Sequence, residues 1–214
     1  ISTDKAVRPT NVMGVSKRIA ELLISHFQSI STYTRFHVVR FGNVLGSSGS
    51  VFHLFVDQIK SGGPLTVTHP DITRYLMTID DAARLVLKSV SLDQPFSINF
   101  LDMGQPVKIS DLADRMIIAH GRLVSQGDNN DNGNLMVEKI FTGLRPGEKL
   151  YEELSHENNA VKTSIDGVLS VENGTENYLP LDKIMEAIDK TVASSSDTEK
   201  KQYLTEIVTD YIPE

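Results

Sequence analysis

The chain has 214 residues, with 21 Lys and Arg against 28 Asp and Glu, a formal net charge of −7, 40% hydrophobic residues and no cysteine. That composition is ordinary for a soluble globular domain and excludes a disordered acidic tail, a coiled coil and a collagen-like chain. The acidic balance argues against nucleic acid, which needs a basic footprint, and the lack of cysteine excludes a disulfide scaffold, a thiolate zinc site and a Cys nucleophile.

The opening, Ile1-Ser2-Thr3-Asp4-Lys5-Ala6, has no starting Met and no signal-peptide layout, and no apolar run reaches the length of a membrane span. It reads as a piece cut from a longer protein. Over residues 11–29, Val12, Val15, Ile19, Leu22, Leu23 and Phe27 recur at helical spacing, with Lys17, Arg18 and Glu21 among them. Pro9 suits the start of that helix, and Thr10 or Asn11 its cap. Residues 36–41 (FHVVRF) predict a buried strand, closed by the turn at Gly42-Asn43.

Residues 51–60 predict a short helix, broken by Ser61-Gly62-Gly63-Pro64, and residues 64–68 alternate like a strand. Residues 80–90 form a second strongly periodic helix with Thr78 as its N-cap. A strand over 96–103 and a helix over 110–120, stopped by Gly121, follow. Residues 127–134 (GDNNDNGN) predict a polar loop, and 136–141 a strand. The stretch after Leu154 is polar and predicts two helices, 181–193 and 198–211, joined by Ser194-Ser195-Ser196. There is no internal repeat. Strands alternating with helices predict an α/β fold with parallel pairing.

Ser2-Thr3-Asp4-Lys5 stands at a predicted strand end, where open α/β sheets bind ligands. A hydroxyl, a carboxylate and an amine placed together can hold a sugar hydroxyl and exchange protons with it. The same residues also suit a solvated turn in which Asp4 or Ser2 bonds the backbone.

The segment STDKAVRPTNVMGVSKRIAE resembles the catalytic stretch of the extended short-chain dehydrogenase/reductase family. There a Ser or Thr ends a strand and Tyr-x-x-x-Lys follows on the next helix. Lys17 matches the Lys, and Met13 stands at the Tyr position. The stretches VRFGNVLGSSGSV, GGPLTVTHPDITRYLMTIDDAARLVL, LDMGQPVKISDLA and TGLRPGEKLYEEL, in order, narrow the resemblance. They are similar to the capsular-polysaccharide branch of nucleotide-sugar 4,6-dehydratases, many of which carry Met in place of the Tyr.

The resemblance implies an enzyme acting on UDP-N-acetylglucosamine or a related UDP-sugar. It implies oxidation at C4 with NAD or NADP, elimination of water across C5 and C6, and hydride return to C6. By position, Lys5 would remove the C5 proton, Asp4 would protonate the departing hydroxyl, and Thr3 would bond the C4 hydroxyl. Lys17 would bond the nicotinamide ribose. Without a Tyr, a water held by Thr3 and Lys17 is one acceptor for the C4 proton. Asn43 would bond the substrate diphosphate, with Ser47 and Ser50 of the Gly46-Ser47-Ser48-Gly49-Ser50 loop. Arg74 and Arg145 would anchor the phosphates, and Glu148 would accept ribose hydroxyls. Each has a plainer alternative: Asn43 as a turn residue, either Arg as a structural side chain. Arg40, inside a strand, reads as structural.

Gly42, Gly46 and Gly49 follow a strand at the spacing G-x-x-x-G-x-x-G, not the dinucleotide fingerprint G-x-G-x-x-G. The loop therefore reads as a substrate-phosphate loop, and the cofactor's glycine loop is expected before Ile1. The expected organisation is α/β: residues 1–103 as the C-terminal portion of a Rossmann-like parallel sheet, with a substrate-loop insertion at about 42–77. A small substrate-binding lobe over 104–154 and a helical C-terminal tail over 155–214 complete it. The six His residues show no metal spacing, so no metal site is expected. The resemblance further implies a homo-oligomer at full length and a cytoplasmic location, with a membrane tether upstream. Two alternatives stand beside the dehydratase: a UDP-sugar C4 epimerase or reductase on the same scaffold, and a non-catalytic UDP-sugar-binding fragment. Asp4-Lys5 argues against an epimerase, which needs no C5 base.

Overall fold

The computed structural model describes residues 1–93, 96–125, 136–155, 160–171 and 179–213. The chain runs through β1 (Ser2–Thr3), a single 3-10 turn (Asp4–Ala6), α1 (Val12–Ile30), β2 (Val38–Phe41), β3 (Asn43–Val44) and α2 (Val51–Lys60). Next come β4 (Leu65–Val67), β5 (Thr73–Arg74), β6 (Leu76–Met77), α3 (Ile79–Ser89), β7 (Ile98–Leu101), β8 (Val107–Lys108) and α4 (Ile109–Ala119). Then follow β9 (Leu123–Val124), β10 (Met136–Val137), β11 (Lys139–Phe141), β12 (Ala160–Lys162), β13 (Val168–Val171), α5 (Leu181–Ala193) and α6 (Asp197–Ile207). The polar loop expected over 127–134 lies outside the described residues.

The chain divides into two compact units. The first comprises residues 1–42, 83–102 and 153–214. Its sheet has the order β1-β2-β7-β13-β12. β1, β2 and β7 are mutually parallel, with Ser2 opposite Arg40 and Val38 opposite Ile98. β13 and β12 add antiparallel. The fold is α/β with a parallel-rich sheet, as the alternation of elements implies. The expected helical tail also contributes these two strands. Their runs, Ala-Val-Lys and Val-Leu-Ser-Val, are too short and too polar at their flanks to announce themselves, and pairing decides them, β13 against β7 and β12 against β13.

β2 is buried at Val38, Val39 and Arg40, as a strand covered on both faces must be. The strand starts two residues later than the sequence suggests, because the Phe36 N–H is held at 2.7 Å by Gln28 Oε1. Asn11 caps α1, its side chain accepting from the Gly14 N–H at 2.9 Å. Val15, Ile19 and Leu22 form the apolar stripe of α1 and meet Ile184, Ala187, Leu204 and Ile207 of α5 and α6. Burying each such side chain stabilises by about 1.5–3 kcal/mol. α6 stops at Ile207, short of the expected 211. Val208 and Tyr211 turn inward, and the Ile212 N–H donates to the Pro9 carbonyl at 3.0 Å.

The second unit comprises residues 43–82 and 103–152. Its core joins Phe55 and Ile59 of α2, Leu65 and Val67 of β4, and Ile109, Ala113, Met116 and Ile117 of α4. β4 pairs in parallel with β11, Leu65 opposite Lys139. β3 pairs with β6, so the Asn43 N–H donates to the Tyr75 carbonyl at 2.9 Å. Thr78 caps α3 as expected, its Oγ1 accepting from the Asp81 N–H at 3.1 Å.

Candidate functional site

In the first unit, β1 runs directly into the 3-10 turn, so Thr3, Asp4 and Lys5 are presented together. Thr3 Oγ1 accepts from the Lys5 N–H at 3.4 Å and donates to Asp4 Oδ1 at 2.9 Å. Lys5 Nζ also donates to Asp4 Oδ1, at 3.0 Å. The Asp4 side chain is 0% exposed and that of Lys5 23%. Asp4 Oδ2 is buried with no hydrogen-bond partner among the described residues. A buried carboxylate with one oxygen unsatisfied is costly unless it is neutral or meets a further donor.

α1 lies against this turn through Gly14. A Cβ there would stand 2.2 Å from the Lys5 carbonyl oxygen, so only glycine fits. Met13 and Lys17, one helical turn apart, are both exposed. Lys17 Nζ reaches the Ile1 carbonyl at 3.4 Å, which leaves N–H donors for a ribose hydroxyl. Arg40 is structural, as expected: its Nε and Nη2 donate to Glu21 at 2.8 and 2.6 Å. Glu21 gave no signal in the sequence, where it reads as one more polar residue on a helix.

In the second unit, a pocket of about 250 Å³ is lined by Asn43, Arg74, Arg145 and Glu148, together with Gly49 and Val51 at the start of α2. Ser47 and Ser50 do not line it. Ser47 Oγ donates to the Val44 carbonyl at 2.8 Å, and Ser50 Oγ is buried without a partner among the described residues. Thr66, Val67 and Thr68 of the β4 segment complete one wall. Sequence reasoning missed these, and the alternation of PLTVT held only the signal that it forms a strand.

The two arginines differ. Arg74 is buried, and its guanidinium is held by Glu148 at 3.2 Å, by Glu152 at 3.8 Å and by the Thr73 carbonyl at 2.7 Å. Arg145 is exposed and its guanidinium is unpaired among the described residues. Its backbone N–H donates to Glu148 Oε2 at 3.1 Å, while Glu148 Oε1 accepts from Thr68 Oγ1 at 3.2 Å. Glu148 thus closes the Arg-Pro-Gly-Glu turn. Among the described residues no group of His, Asp and Glu could hold a metal ion, and no helix is long and apolar enough to cross a membrane.

The model of a family described as "Polysaccharide biosynthesis protein" matches residues 1–173. The chain belongs to that family. Members similar to it include the capsular polysaccharide biosynthesis protein CapD of Staphylococcus aureus, 55% identical over 158 residues, 74% of this chain and 25% of CapD. The probable polysaccharide biosynthesis protein EpsC of Bacillus subtilis is 52% identical over the same shares. A UDP-glucose 4-epimerase of Rickettsia bellii is 38% identical over 72% of this chain and 42% of its own length. The chain therefore spans about a quarter of the first two of these polysaccharide biosynthesis relatives. Among solved structures, Pen from Bacillus thuringiensis is 34% identical, with a TM-score of 0.65 over 79% of this chain and 50% of Pen. A UDP-N-acetylglucosamine 4-epimerase from Methanobrevibacter ruminantium M1, solved with UDP-N-acetylmuramic acid, is 16% identical with a TM-score of 0.51 and shares the fold. The polysaccharide biosynthesis family, with the Rossmann-like fold, is the one the motifs pointed to.

Proposed function

We propose that the chain is part of a nucleotide-sugar 4,6-dehydratase of polysaccharide synthesis, converting UDP-N-acetylglucosamine or a related UDP-sugar to its 4-keto-6-deoxy form. The observation that carries this reading is the Asp4–Lys5 pair. Asp4 Oδ1 and Lys5 Nζ stand 3.0 Å apart, so a single turn presents a carboxyl and an amine side by side as acid and base. Those are the two species an elimination needs. With C4 a ketone, the C5 proton is acidic. Lys5 takes it, the C5–C6 double bond forms, and the C6 hydroxyl leaves with the Asp4 proton as water. The pair is then Lys5 ammonium and Asp4 carboxylate; Lys5 returns its proton to C5 as hydride is delivered to C6, and Asp4 is reprotonated from solvent, which has received the C4 hydroxyl proton.

A nicotinamide cofactor, when bound, supplies oxidation at C4 and hydride return at C6. Of this chain's residues Lys17 is assigned to it, through the ribose, and its exposed amine fits that role. Thr3 would hold the C4 hydroxyl. Met13 leaves the Tyr position without a proton acceptor, and a water held by Thr3 and Lys17 would take the C4 proton. In the second unit we assign the diphosphate to Arg145, whose planar fork is unpaired among the described residues, with Asn43 beside it in the pocket wall. Arg74 and Glu148 form the wall that sets the Arg145 turn. At about 250 Å³ the pocket is below the usual range for a whole ligand of this size, and suits a part of the UDP-sugar.

The relatives named UDP-glucose 4-epimerase favour a second reading, in which C4 is oxidised and re-reduced on the other face. Incubating the full-length protein with cofactor and UDP-N-acetylglucosamine decides between them. A 4-keto-6-deoxy product supports the dehydratase, and a C4 epimer overturns it.

A further inference from the structure

Glu21 is 3% exposed, yet its carboxylate accepts four hydrogen bonds: from Ser2 Oγ at 2.5 Å, Arg40 Nε at 2.8 Å, Arg40 Nη2 at 2.6 Å and Arg18 Nη1 at 3.2 Å. The donors come from β1, β2 and α1, and Ser2 stands opposite Arg40 in the sheet register. Ser2, Arg18 and Arg40 are themselves buried.

Such a network is a poor source of stability. Taking charges out of water costs several kcal/mol per ion, and apolar residues of similar volume often stabilise as well or better. What it provides is direction. The Arg40 fork fixes the carboxylate in a plane. The apolar contact of Val15, Ile19 and Leu22 with α5 and α6 is non-directional and tolerates rotation of the helix. Ser2 immediately precedes Thr3, and Glu21 lies one turn beyond Lys17 on α1 and two turns beyond Gly14, which touches the Lys5 carbonyl.

We propose that Glu21 is a positioning residue for the reaction. Its carboxylate sets the rotation of α1 against β1, and with it the placement of Lys17 and Met13 relative to Thr3. The inference rests on the proposed C4 oxidation, which the dehydratase and epimerase readings share. A misplacement of about 1 Å in such a constellation costs roughly 10²-fold in rate.

The test uses the full-length protein with bound cofactor and three variants: Ser2→Ala, Ser2→Thr, and the double change Glu21→Leu with Arg40→Met. The readouts are kcat, KM, the melting temperature, the single-turnover rate of nicotinamide reduction on adding UDP-N-acetylglucosamine, and amide-proton exchange in the first turns of α1. The double variant removes the Glu21 carboxylate from buried Arg18 and is expected to melt lower, yet, where folded, to keep KM within about threefold while kcat and the reduction step fall by about 10². Ser2→Ala is expected to slow the same step by a smaller factor and to speed exchange in α1, and Ser2→Thr to restore both. A reduction step at the parent rate in a folded double variant overturns the inference. If that variant does not fold, the same result in Ser2→Ala overturns it. An epimer formed by the parent protein sinks the dehydratase reading and leaves this test intact, because the reduction step is still measured. A parent that never reduces its nicotinamide removes both.

Discussion

Gly14 and Lys5 meet backbone to backbone: a Cβ on Gly14 would lie 2.2 Å from the Lys5 carbonyl oxygen and 3.1 Å from its carbon. The glycine is what lets α1 lie directly on the turn that presents Asp4 and Lys5. In an open helix, Gly→Ala would gain up to about 1 kcal/mol. Here the methyl meets backbone that cannot swing away.

Gly14→Ala is therefore expected to destabilise, because overpacking of this kind typically costs about 1–3 kcal/mol and exceeds the propensity gain. Urea unfolding checks the sign. A stabilised variant would show that the turn yields freely and does not depend on α1 for its place.

Lys5→Ala and Asp4→Ala are expected to lower dehydration by about 10²–10⁴, the usual loss on removing one acid or base, with UDP-sugar binding nearly unchanged. Asp4→Ala also removes a buried carboxylate whose Oδ2 has no partner among the described residues, so its melting temperature should hold better than loss of a buried residue normally allows. Product formed by Lys5→Ala at the parent rate rules out Lys5 as the base.

The two pocket arginines should separate cleanly. Arg145→Ala is expected to weaken UDP binding by about one to two decades, the worth of one charge-assisted hydrogen bond, with no change in melting temperature. Arg74→Ala should act mainly on stability, at a cost of about 3–5 kcal/mol, because it strands Glu152 and Glu148 without their cation. Calorimetric titration paired with thermal unfolding reads both. Unchanged affinity in Arg145→Ala would remove it from the phosphate site.

Glu186, on the exposed face of α5, bonds Lys190 at 2.8 Å and Lys183 at 3.1 Å. Hydrogen bonds to these two lysines, first Lys190, lower its pKa from 4.5 to about 2. A depressed folded-state pKa gives stability that is present above the unfolded value and is lost as pH falls through the folded one. The contribution should therefore fade between about pH 4.5 and pH 2, and salt should screen it. Glu186→Gln is expected to flatten the acid limb of stability in that window alone. An identical acid limb in the variant would show that the pair holds nothing in solution.

By itself the sequence determined what is local. The apolar spacing of Val15, Ile19 and Leu22 specifies α1, Thr78 announces its cap while the α1 cap is narrowed to Thr10 or Asn11, and residues 181–193 form α5 over the span that their periodicity marks. The order of motifs from Thr3 to Glu148 likewise identified the family, because those residues are read one after another along the chain. The tertiary structure decided what depends on partners far apart in sequence. Glu21 looks like a solvated helix residue until Arg40, 19 positions on, is folded against it. Arg74 and Arg145 look alike until burial gives Arg74 two carboxylates and leaves Arg145 open to the pocket. β13 is an unremarkable Val-Leu-Ser-Val until it pairs with β7. In each case desolvation and long-range pairing set the role, and neither leaves a periodic trace along the chain.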